Sequence, residues 1–88
     1  MFLGKVSGTV WATRKDEKLE GLKLLVVRKV NQQLEPQADF VVAVDSVGAG
    51  TGELVLVAGG SSARMTRQTE NRPVDAVVMA IVDSVDLF

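Results

Sequence analysis

The stretch AVDSVGAGTGELVLVAGGSSAR, residues 43–64, decides the fold. A strand-like run reaches Asp45, crosses the glycine-dense turn Gly48-Ala49-Gly50-Thr51-Gly52, and re-enters a strand at Glu53–Val57. A second turn, Gly59–Arg64, follows, with Ser61 placed to cap one short helical turn. Glycine lacks a Cβ, so such a loop can take positive φ or admit another backbone closely. The three turn glycines spell only G-x-G-x-G, and a strand follows them. A dinucleotide fingerprint needs G-x-G-x-x-G opening a helix, and a phosphate loop needs Gly-Lys-Ser/Thr. The turn therefore reads as a tight turn or a close approach between subunits, not as a cofactor cradle.

Working outward, Phe2–Ala12 alternates, with Phe2, Gly4, Val6, Gly8, Val10 and Ala12 on one face and Lys5, Ser7 and Thr9 on the other. This is the period of a strand covered on one side. A charged loop spans residues 13–20, a second strand Leu22–Val30, and a polar turn with Pro36 residues 31–38. A third strand runs Asp39–Asp45 and a fourth Glu53–Ala58; the Val- and Ile-rich segment Val74–Val82 reads as the last. Short strands at this spacing predict a small all-β barrel of five strands with one short helical turn, in a single domain over residues 1–88.

The second strand is apolar on both faces, with Leu22, Leu24 and Val26 opposite Leu25 and Val27, and so are Leu54–Val57 and Val77–Val82. Strands buried on both faces read this way when helices cover the outer side. No segment here is long enough to be such a helix, so the uncovered faces point to neighbouring copies, with Leu25 and Val27 among the interface candidates. Burying one exposed Leu or Val contributes about 1.5–3 kcal/mol, and several together offset an association cost of roughly 4–15 kcal/mol.

Composition supports association. A chain of 88 residues buries only about 60–65% of its unfolded surface. It has no cysteine, so no disulfide, and with neither cysteine nor histidine a zinc or copper site is not expected. A net charge of −1 and one Trp with three Phe give neither the basic footprint nor the stacking platform of a nucleic-acid binder. The longest apolar run, Ala76–Val82, is far short of the ~20 residues that cross a bilayer. MFLGKVSG is not a signal peptide, and the expected location is the cytoplasm.

Catalytic chemistry finds little. Ser61 and Ser62 have no histidine to activate them and no S-x-x-K spacing. Asp45, Asp75, Asp83 and Asp86 are not brought together by any motif, and carboxylates at strand ends usually face water. No catalytic residue, cofactor or metal is assigned. Trp11 falls on the polar face of the first strand and marks a contact site. Arg64, Arg67 and Arg72 form a local basic region suited to partner contacts.

Three blocks now come together: K-V-x-G-T-V-x-A-T-x-K at Lys5–Lys15 (here K-V-S-G-T-V-W-A-T-R-K), A-V-D-S-V-G-A-G-T-G-E at Ala43–Glu53 with G-S-S-A-R at Gly60–Arg64, and R-P-V-D-A plus I-V-D within Arg72–Asp83. With G-L-K-L-L-V-V at Gly21–Val27, they closely resemble the EutN/CcmL family of bacterial microcompartment vertex proteins. The resemblance implies an OB-like barrel that assembles as a cyclic homopentamer and caps the vertices of a shell tiled by hexameric shell proteins. It implies that Gly48, Ala49 and Gly50 lie near the five-fold axis and its narrow opening. It also implies that the final strand packs on a neighbour, through Ile81, Val85 and Leu87. Trp11, Arg64, Arg67 and Arg72 then become candidates for contact with the shell. Trp11 is a departure, being bulkier than the small aliphatic residue usual there. The alternative from the residues alone is a monomeric OB-like module that binds a ligand or single-stranded nucleic acid.

Overall fold

A computed structural model describes all 88 residues. The order is β1 (Phe2–Val10), a 3₁₀ turn at Glu17–Leu19, β2 (Leu24–Val30), β3 (Pro36–Asp45), β4 (Leu54–Gly59), a second 3₁₀ turn at Gly60–Arg64, and β5 (Ala76–Ile81). The strands close into a barrel in the order β1-β2-β3-β5-β4. All pairings are antiparallel except β3 with β5, which run parallel and meet at only two positions, Val44 with Val77 and Asp45 with Val78. That short contact is the seam at which the sheet closes. The five expected strands are present, with ends displaced by a few residues. Pro36 opens β3 instead of lying in the turn, which suits a residue that cannot donate to a ladder.

β1 is shared by two neighbours, pairing β4 over Phe2–Lys5 and β2 over Gly4–Val10. Gly4 therefore has strands on both sides, opposite Lys29 and Val55. A Cβ there would lie 2.5 Å from Val27 Cγ1 and 2.9 Å from the Arg28 carbonyl oxygen. Only glycine lets these strands approach so closely.

The simple alternation of β1 fails at Ser7. Val6 stands opposite Val27, but the next pair is Gly8 with Val26, so Ser7 is an extra, bulged residue whose hydroxyl donates to the Val26 carbonyl at 3.3 Å. One inserted residue exchanges the faces beyond it. Thr9 now shares a face with the buried Leu25, and Val10 joins Leu24 outside. Phe2, Gly4 and Val6 keep their expected side; Gly8 and Val10 do not.

Val6, Leu25, Val27, Ala43, Val55, Val57, Ala76 and Val78 form the barrel interior, joined by Ala49 from the glycine turn. A second cluster lies on the outside. Val44, Ala58 and Val77 face outward and are covered by Ala63 of the second 3₁₀ turn and by Val74, with Leu19, Leu22 and Leu24 at the margin. The doubly apolar strands are thus covered in part by the chain itself, without any long helix, and in part left exposed.

The covering segment is pinned by its own hydrogen bonds. Buried Thr69 and Thr66 each accept from the other's amide, at 3.3 and 3.1 Å, and their hydroxyls lie 2.7 Å apart. The second 3₁₀ turn begins at Gly60, with Gly59 in the capping place and no side-chain cap. The capping role expected of Ser61 is therefore absent.

Candidate functional site

The glycine turn is built by two carboxylates. Asp45, at the end of β3, accepts through Oδ1 from the backbone N–H groups of Val47, Gly48 and Ala49 at 3.1, 3.1 and 3.2 Å. Asp side chains favour this local geometry because a short acceptor can reach amides two to four residues on. Glu53 Oε1 accepts from the Gly50 N–H at 2.6 Å, and the Ser46 hydroxyl donates to the Val78 carbonyl. The far end is tied to β1: Gly52 N–H donates to Val6 O at 2.7 Å, and Val6 N–H donates to Glu53 O at 3.1 Å. Sequence pattern alone does not assign either carboxylate this role; the signal for Asp45 is its position just before Ser-Val-Gly, an Asx-turn setting.

Positive φ falls at Gly48 (φ 78°) and Gly52 (φ 86°), not at Gly50. A Cβ at Gly50 would only meet Glu53 Oε1 at 3.3 Å, whereas Gly48 and Gly52 have open space around them. The Ala49 side chain is 1% exposed and packs into the barrel core. The exposed part of the turn is thus its backbone at Gly48 and Gly50 with the neighbouring Thr51. Replacing Gly48 or Gly52 by Ala is expected to cost about 1–2 kcal/mol, the penalty of a Cβ in the left-handed region. Gly50→Ala should cost less than either. Urea melts of the three variants at one protein concentration check the order.

Of the interface candidates, Leu25 and Val27 are corrected. Their side chains are 1% and 0% exposed and point into the barrel, so no neighbour can touch them. The outward row of β2 is instead the half-buried Leu24 and Val26. It runs beside Val42 and Phe40 of β3, both exposed. Ile81 and Leu87 are exposed and Val85 is half-buried.

The arginines divide. Arg72 Nη1 donates to the carbonyls of Lys18 and Glu20, both at 2.9 Å, binding the first 3₁₀ turn to the covering segment. Arg64 Nη1 donates to the Val74 carbonyl at 3.0 Å. These two act as internal ties, while Arg67 is exposed and makes no hydrogen bond. Trp11 is 89% exposed just past the end of β1. No group of acidic side chains gathers to hold a metal ion, and no helix is long and apolar enough to cross a membrane.

The strand order and the carboxylate-braced glycine turn define a small, closed five-stranded all-β barrel. Residues 1–83 match the family model described as ethanolamine utilisation protein EutN/carboxysome. The microcompartment shell vertex protein GrpN of Rhodospirillum rubrum is 50% identical over 86 residues, covering 98% of this chain and 97% of GrpN. The shell vertex protein PduN of Salmonella typhimurium is 49% identical over 88 residues, covering 96% of this chain and 97% of PduN. Among solved structures, the pentameric shell protein GrpN superposes with a TM-score of 0.89 at 49% identity, covering 100% of this chain and 99% of that one. CcmL of Gloeobacter violaceus superposes with a TM-score of 0.95 at 41% identity, covering 99% and 90%. This chain belongs to the EutN/CcmL family.

Proposed function

We propose that this chain is the vertex subunit of a bacterial microcompartment shell. Five copies form a ring that fills the corners left by hexameric shell tiles, and the role is structural, not enzymatic. The observation that carries this reading is the end-to-end match, in sequence and fold, to a pentameric shell protein. The surface agrees: Phe40, Val42, Met79, Ile81 and Leu87 are all exposed in a single copy, and a ring of copies would remove such apolar area from water. A cyclic ring uses two different patches of each copy, one on each side, and closes by rotation. In it the Gly48–Gly50 turn lies near the axis, and the exposed Arg67 stands available to shell neighbours.

The test is native mass spectrometry of the purified chain. The expected species has five times the 9.4 kDa mass of one copy. A monomer at micromolar concentration would overturn this reading and revive the single-copy binding module, which no relative supports.

A further inference from the structure

A surface cleft of about 430 Å³ opens where the end of β1 parts from the approach to β2. Trp11, Leu22 and Leu24 supply its apolar wall, and Lys15, Lys23 and Glu20 its charged rim. Its size lies within the range that takes up a ligand or a few side chains. Nothing within the chain covers the Trp11 ring, which is 89% exposed.

A second feature has the opposite character. The Val82 N–H donates to Leu54 O at 2.8 Å, and residues 83–88 make no hydrogen bond beyond it. This segment, Asp83-Ser84-Val85-Asp86-Leu87-Phe88, has two acidic residues and no basic one. Leu87 is 55% exposed and Phe88 wholly so. A stretch of six residues spans up to ~20 Å when extended, comparable with the 24 and 21 Å shorter extents of the subunit.

We propose that the Trp11 cleft of one copy receives the Asp83–Phe88 segment of the neighbouring copy. The proposal rests on the pentamer reading and adds to it where the ring contact is made. Leu87 and Phe88 cover Trp11 and Leu22, and Asp86 lies beside Lys15 and Lys23. Two lysines against one glutamate leave the rim positive, which suits an acidic segment and disfavours a basic one. The donor and acceptor surfaces differ, as a head-to-tail ring requires. Aromatic rings are the largest contributors of buried area at such contacts.

The chain has one tryptophan and no cysteine, so two clean measurements exist. In the double variant Lys23→Cys/Asp86→Cys, treated with a short bifunctional thiol cross-linker, denaturing gels should show a covalent ladder ending at five chains. Second, Leu87→Ser should shift the Trp11 fluorescence to the red while the circular dichroism of the barrel is unchanged. Internally linked single chains, or unlinked chains that still run as pentamers, would overturn the proposal and leave the vertex reading standing. So would Trp11 emission that ignores Leu87→Ser in an intact pentamer. An unmodified chain that never forms a pentamer would sink both.

Discussion

Gly4→Val is expected to lose most of the stability of this barrel. The Cβ alone would sit 2.5 Å from Val27 Cγ1, and Val27 is 0% exposed, so its side chain cannot swing out into solvent. It would also sit 2.9 Å from the Arg28 carbonyl oxygen, a backbone atom. Relief requires β1 and β2 to separate, yet β1 is held by β4 on its other edge. Overpacking a core costs about 1–3 kcal/mol. Here a backbone clash is added, and a loss of about 3 kcal/mol or more is expected. Small domains have of order 5 kcal/mol to lose. Gly8→Val is the matched control, because a Cβ there meets nothing nearer than 3.9 Å. Chemical melts of the two variants at equal concentration make the comparison, since the stability of an oligomer depends on concentration. Near-equal midpoints would mean that the close approach at Gly4 is not what sets the spacing of β1 and β2.

The second large effect is expected at Asp45. Asp45→Ala removes the acceptor shared by three consecutive amides. A hydrogen bond to a charged group contributes about 1.5–3 kcal/mol, and water replaces part of that at a half-exposed site. A net loss of about 2–3 kcal/mol follows, concentrated in the turn. Asp45→Asn keeps one carbonyl oxygen in place and should lose roughly half as much, by the weaker bonds of a neutral acceptor. Amide hydrogen exchange is the direct readout: the amides of Val47, Gly48 and Ala49 should exchange faster in Asp45→Ala, with Asp45→Asn between it and the parent. Unaltered exchange at these three amides would show that the turn holds its shape without the carboxylate.

Much of the architecture is legible in residue patterns. Leu54–Val57 and Val77–Ile81 announce strands because β-branched and leucine side chains recur without a breaker. The glycine cluster marks where the chain must reverse. The phase of β1 is not legible, because the bulge at Ser7 has no compositional mark: serine alternates there like any polar strand residue. The two-sided apolar runs carry real information but an ambiguous address. They show that both faces are covered and not by whom, and short residues outside every strand, such as Ala63 and Val74, prove to be part of the cover. Leu25 and Val27 face inward, against the sequence expectation, because in a run apolar on both faces composition cannot say which face turns inward. Within the turn, the choice of which glycine needs positive φ depends on where Asp45 and Glu53 place their oxygens, a property of three dimensions. The number of copies in a ring comes from relatives alone.

The seam between β3 and β5 has one more consequence. Val44 and Val77, half of its two-position pairing, are also the residues over which Ala63 and Val74 close. Residues 60–75 therefore act as a clasp across the weakest join in the cylinder, with Arg64 and Arg72 as its rivets. Fastening and exposed surface share one stretch of chain, so any change to that surface must leave the latch closed. Arg67 and Gln68, solvent-facing and bound to nothing, are where such freedom remains.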